Sequence, residues 1–174
     1  MVTSFPTRHA LLSATALAGA LLLAACSGGS VRVAAPATTG SAAKQCAALR
    51  SALPAKLAGL KLRGTTPKSA NTAAWGSPAI VLRCGVGIPG VIDPASSTFD
   101  PDYGRHDVEE VKGVCWVSEP LSGGAFRFTT VKQQAYVELT VPGAYAGQQS
   151  PVDGLTGAID RTDPVDTSRP FACV

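Results

Sequence analysis

Between Ala10 and Ala25 the chain carries no charge and is built largely from Ala and Leu, after one early cation, Arg8. That run is too short for a comfortable membrane span and has the layout of a secretory signal peptide. It closes on Leu23-Ala24-Ala25-Cys26, small residues followed by a cysteine, the arrangement of a bacterial lipobox. A signal peptidase that cuts there accepts only small side chains before the cut, and the Cys26 thiol carries a diacylglyceryl group. The plainer alternative is an Ala-x-Ala site beside a chance cysteine. The shared register of apolar run, small residues and Cys favours the lipoprotein. Ser27 to Ala43 (SGGSVRVAAPATTGSAA) has no apolar period and predicts a flexible tether. About 17 such residues span roughly 20–25 Å.

Helical spacing follows. Cys46, Leu49 and Leu53 form an i, i+3, i+7 stripe in Ala42–Leu53, with Ser41 as N-cap and Pro54 as stop. Beyond Pro54 the period becomes two. Leu60–Arg63 alternates as a short strand, Ser69–Trp75 reads as a brief helical or turn segment, and Ala79–Val86 places Ile80, Leu82, Cys84 and Val86 on one face. Gly87–Asp107 reads as a long loop and Val111–Val117 as a buried strand. Ala125–Val131 has Phe126, Phe128 and Thr130 on one face, and Lys132-Gln133-Gln134 connects it to Ala135–Val141. There Ala135, Val137, Leu139 and Val141 alternate with Tyr136, Glu138 and Thr140. Val152, Leu155 and Ile159 mark a short helix before an acidic, Pro-containing tail. The predicted fold is α+β: one small domain, an antiparallel sheet of four or five strands with the N-terminal helix packed on it. The expected divisions are a signal peptide (1–25), the lipidated Cys26 with its tether (26–43) and the domain (44–174).

Without residues 1–25 the chain keeps 149 residues, enough for one domain with a real core. That part is rich in Ala, Gly, Pro, Val and Thr, which suits a turn-rich α+β domain. Charge is distributed unevenly. Cys26 to Ile92 contains eight cations (Arg32, Lys44, Arg50, Lys56, Lys61, Arg63, Lys68, Arg83) and no acid, whereas Asp93 onward contains six cations and all twelve acids. A basic half beside a lipid anchor could lean on anionic headgroups. The expectation is instead that both halves fold together and their charges interleave. Nucleic acid is a poor partner for an exported chain with few aromatics and modest net charge.

Cys46, Cys84, Cys115 and Cys173 remain once Cys26 is set aside, an even number that reads as two disulfides with three connectivities open. No CxxC is present and no cysteine pair has zinc-ligand spacing, so no metal or cofactor is called for.

From Cys46 to Pro142 the chain resembles DUF3515, a family of actinobacterial exported proteins with no assigned activity. Five blocks carry the likeness: Cys46-Ala-Ala-Leu49 with Leu53-Pro54; Ala73-Ala-Trp75-Gly76-x-Pro78-x-Ile80-x-Leu82-Arg83-Cys84-Gly85-Val86; Gly113-Val114-x-Trp116; Phe126-Arg127-Phe128-Thr129-Thr130-Val131; and Ala135-Tyr136-Val137-Glu138-Leu139-Thr140-Val141-Pro142. The Trp-Gly-x-Pro block is the most specific. The resemblance implies an actinobacterial envelope and no particular reaction. Its regular cysteines imply a Cys46–Cys84 bridge, and with it Cys115–Cys173. The second pair, the 87–110 loop and the tail depart from the family pattern, so nothing carries over to them.

Candidate chemistry is sparse. His106, in Asp100-Pro-Asp-Tyr-Gly-Arg-His106-Asp107, is the only imidazole after the leader; beside acids it could act as a general base, though no Gly-x-Ser-x-Gly accompanies it. The acids around Asp100, and Asp160, Asp163 and Asp166, lack the EF-hand ligand pattern and read as turn residues. Trp75, Arg83 and Trp116 form a candidate binding patch, since Arg with Trp can grip a carboxylate or sugar, while tryptophans in so small a domain more often fill the core. The reading is a non-catalytic binding or accessory module. It is lipid-anchored at the outer face of the cytoplasmic membrane and engages an envelope protein or cell-wall component. The rivals are an envelope hydrolase using His106 with Asp102 or Glu109, and a purely structural component.

Overall fold

The computed structural model describes residues 1, 29–103, 108–147, 150–169 and 173. Cys26, His106 and Asp107 lie outside them. In chain order the elements are β1 (Val31–Arg32), α1 (Gly40–Ala52), β2 (Lys56–Leu57), β3 (Leu60–Arg63), β4 (Thr65–Thr66), β5 (Thr72–Trp75), β6 (Ile80–Val86), β7 (Val108–Val111), β8 (Val114–Pro120), β9 (Phe126–Thr130), β10 (Tyr136–Val141) and α2 (Asp153–Thr162). β1 and β4 pair in parallel; the rest form one antiparallel sheet of eight strands in the order β2-β3-β5-β6-β10-β9-β8-β7.

The fold is α+β, but the sheet is larger than the four or five strands expected. Two tight turns account for part of the difference. Ala58-Gly59 and Lys112-Gly113 all have positive φ, as two-residue hairpins require, so each short apolar run divides into a hairpin. The expected single strand over 111–117 is therefore β7 turning into β8, and β7 reaches into the expected 87–110 loop. β5 replaces the expected helical or turn segment over 69–75. Its two alanines favour helix locally, but between β3 and β6 all four of its residues are buried and the ladder prevails.

Both helices cover one face of the sheet. Cys46 and Leu49 of α1 and Leu155 and Ile159 of α2 meet Trp75, Ile80, Leu82, Trp116, Val137 and Leu139 in the main core. Helix α1 begins at Gly40, and its N-cap is Thr39 rather than Ser41, with no side-chain capping bond. Cys46 is bonded to Cys84 with Cα atoms 5.6 Å apart, which pins α1 to β6. The opposite face has a second, smaller core in which Val108, Cys115, Val117 and Val131 are covered by Ile92, with Ile88, Val91 and Tyr103 packed on it. Cys173 is bonded to Cys115 there, Cα atoms 5.7 Å apart.

Residues 29–39, placed by sequence in a flexible tether, are docked. Val31 N–H donates to Gly64 O at 2.8 Å and Val33 N–H to Thr66 O at 3.0 Å, and Val33 is buried. Further on, Asn71 Nδ2 donates to Pro36 O at 2.8 Å and to Thr38 Oγ1 at 2.9 Å. Thr38 then packs on a bulge at Gly85, where φ is +81° and an added Cβ would come within 2.0 Å of Thr38 Cγ2. That bulge breaks the period of two, so Val86 leaves the face shared by Ile80, Leu82 and Cys84.

Candidate binding site

Where the second core stops, the open face of the sheet becomes polar. Alternation puts Arg83 on the side of β6 away from Leu82 and Cys84, and puts Glu138 away from Val137 and Leu139. The β6–β10 register sets Arg83 directly opposite Glu138, and the β8–β9 register sets Glu119 opposite Arg127. The side chains form a chain of alternating charge. Arg83 Nη1 donates to Glu138 Oε1 at 3.1 Å; Arg127 Nε lies 3.6 Å from Glu138 Oε2, and its Nη1 lies 3.7 Å from Glu119 Oε1. Arg83 Nε also donates to Ala34 O at 3.1 Å, so the docked segment helps position the guanidinium.

These four side chains, with Pro36, Thr129 and the backbone from Gly85 to Gly90, line a cleft of about 340 Å³. The carboxylates form its floor and the guanidiniums its rim: side-chain exposure is 12% for Glu138 and 14% for Glu119, against 35% for Arg83 and 38% for Arg127. Burial raises the Glu119 carboxyl above its ordinary value; Arg127 opposes the shift and Glu138 adds to it. Arg127 Nε is buried without a hydrogen-bond acceptor among the described residues. The site is neutral overall, yet its rim presents N–H donors to a ligand with carboxylate, carbonyl or hydroxyl oxygens.

A family model described as a protein of unknown function, DUF3515, matches residues 9–167. The chain belongs to this family. No curated protein and no solved structure matches the chain. Membership in DUF3515 adds no site residues, so the chemistry of this DUF3515 chain rests on its geometry.

The candidate patch of Trp75, Arg83 and Trp116 is not one surface. Trp75 and Trp116 are buried in the helix-side core, and Arg83 projects from the other face. The physical reason is parity. Trp75 pairs with Ile80 and so shares its face, whereas Arg83 is an odd number of residues further along β6. Trp75 Nε1 donates to Pro54 O at 3.0 Å, tying β5 to the end of α1. Trp116 lines a separate pocket of about 190 Å³ with Glu109, Phe128 and Val152.

Asp102 is an exposed turn residue whose N–H donates to Asp100 Oδ1 at 3.0 Å. The acids at 160, 163 and 166 diverge: Asp160 is exposed, Asp163 is buried, and Asp166 accepts from Ser168. Among the described residues no group of three His, Cys, Asp or Glu is placed to hold a metal. Glu119, Arg127 and Glu138 escaped the sequence reading. The lone charge of β10, Glu138, on the face opposite Val137 and Leu139, was the available signal, but its meaning depended on β6 lying alongside.

Proposed function

We propose that this protein is a lipid-anchored envelope protein, held by Cys26 at the outer face of the cytoplasmic membrane, that acts as a non-catalytic binding or accessory module. Its ligand is an envelope protein or cell-wall component that offers oxygen acceptors to Arg83 and Arg127. The observation that carries this reading is the pairing pattern of the cleft: each carboxylate is engaged by a guanidinium, and both guanidiniums are more exposed than the carboxylates they hold. That arrangement recognises oxygen-rich groups, through a preorganised rim, without an unpaired nucleophile and base side by side. The lipobox and the uncharged run before it support the location, and no helix among the described residues is long and apolar enough to cross a membrane.

Crosslinking mass spectrometry on intact cells tests the binding. The native chain recovers a specific envelope component, and Arg127→Gln, at a half-buried rim position, loses most of it. Recovery of nothing above background, or equal recovery by the variant, refutes the cleft as the binding site. Turnover of cell-wall material that disappears in His106→Ala would instead make the protein a hydrolase.

A further inference from the structure

The charge asymmetry of the sequence survives folding. Residues 29–92 supply β1 to β6 and α1, later residues supply β7 to β10 and α2, and the strand order keeps the two sets on separate halves of the sheet, joined at β6–β10. Within the sheet the two sets meet at that seam, where Arg83 pairs with Glu138, and on the helix-covered face α2 carries Asp153 and Asp160 against the end of α1 and Leu57 of β2. On the outer strand of one half, Lys56 lies directly opposite Lys61 of β3; on the outer strand of the other, β7 carries Glu109 and Glu110. Seven inter-strand steps of ~4.8 Å separate these edges by about 34 Å, several Debye lengths at physiological salt.

Like charges placed directly opposite each other cost stability in water, and an anionic surface relieves that cost. Among the described residues, Arg32, Lys44, Arg50, Lys56, Lys61 and Lys68 form no ion pair. Arg32 sits opposite Thr66, two residues before Lys68, and Lys68 and Arg50 line a groove of about 520 Å³ with Gly64 and Thr65. Lysine on an edge strand also prevents edge-to-edge pairing. That role accounts for Lys56 but not for Arg32, Lys68 or the missing acids.

The chain enters at this same end. Arg63, on the face of Lys61, donates through Nη2 to Gly29 O at 2.6 Å. Gly29 is three steps along the chain from Cys26, a reach of at most about 11 Å. With residues 29–39 docked, the domain is not held 20–25 Å clear of an anchored sulfur. We infer that the basic end of the sheet, formed by Arg32, Lys56, Lys61, Arg63 and Lys68, seats on an anionic phospholipid surface with the acidic edge turned away. The inference rests on the Cys26 anchor for orientation, but the surface itself is testable without it.

The test uses residues 26–174 carrying Cys26→Ser, a chain that keeps every described hydrogen bond and both disulfides. Sedimentation with vesicles of phosphatidylcholine plus 30 mol% phosphatidylglycerol is compared with phosphatidylcholine alone. Binding only to the anionic vesicles, weakening as salt rises, supports the surface. At ~1 kcal/mol per cation, Lys56→Gln with Lys61→Gln and Lys68→Gln lowers partition by about 150-fold, while Glu109→Gln with Glu110→Gln does not lower it. Equal binding to both vesicles, or a triple variant that binds like its parent, overturns the inference. So does binding to soluble polyphosphate without binding to vesicles, which would make the partner an anionic polymer. Palmitate labelling of the Cys26 chain in cells is read separately. Anionic-vesicle binding by a chain that takes no label removes the anchor and keeps the surface; a labelled chain blind to phosphatidylglycerol does the reverse.

Discussion

Replacing Asp163 with Asn removes a charge from one of the most buried positions in the domain. Asp163 ends α2 at 1% exposure, and its Oδ1 accepts the Ala135 N–H at 3.0 Å, which holds the β9–β10 turn against the C-terminal segment. The opposite oxygen has no partner among the described residues. Burial pushes the carboxyl up from 3.8 to about 6; the Ala135 amide, Arg169 and the Gln134 amide oppose that shift. The folded state therefore holds the proton more tightly than the unfolded chain does. Its contribution to stability is fully present below pH 3.8 and is lost as pH rises through about 6. A difference of about two pH units corresponds to ~3 kcal/mol. Asn keeps the acceptor and carries no charge, so the variant lacks this pH dependence. Urea denaturation of both proteins from pH 3.5 to 7.5, with disulfides intact, isolates the effect, because carboxylates common to both cancel in the difference. The stability of Asp163→Asn relative to the parent climbs by ~3 kcal/mol across that window and levels off above pH 7. A flat difference curve, or one that falls with pH, would show that the buried carboxyl is already ionised at pH 4 and refute the reasoning.

Other perturbations test the frame and the cleft. Removing Cys46–Cys84 or Cys115–Cys173, which span 38 and 58 residues, lowers stability by up to ~4 kcal/mol each in the chain-entropy model; non-reducing peptide mapping verifies the pairs and denaturation the size. Gly85→Ala forces a Cβ to within 2.0 Å of Thr38 Cγ2 at a φ of +81°, and a loss of ~2–3 kcal/mol in thermal unfolding is expected; a neutral result would mean residues 36–39 are not docked there. Arg127→Gln removes the cation that opposes the Glu119 shift, so the Glu119 carboxyl titrates higher in carbon NMR than in the parent, and an unmoved titration would refute their pairing.

The parts of the fold legible in the sequence are those set by neighbouring residues. Pro54 ends a helix because proline cannot continue one, and α1 stops at Ala52. The stripe of Val152, Leu155 and Ile159 is buried along α2 and its approach. The alternation in 135–141 and 125–131 reproduces β10 and β9, and their short connector makes them antiparallel neighbours. The two hairpins were also present in the letters, as Ala58-Gly59 and Lys112-Gly113, but an x-Gly pair outside the usual Asn or Asp context gives a weak signal.

What the residues alone determine here is which side chains share a face of one element, because the periods of 3.6 and 2 are local properties of the backbone. Which strand lies beside which is decided by the tertiary structure, because β6 and β10 are separated by β7, β8 and β9 in sequence and pair only when the whole sheet closes. That pairing puts Arg83 on Glu138, while the β5–β6 register sets Trp75 on the other face and the docking of the C-terminal segment on the β9–β10 turn buries the Asp163 carboxyl. It also leaves the basic strands β2 and β3 and the acidic strand β7 at opposite edges of the sheet.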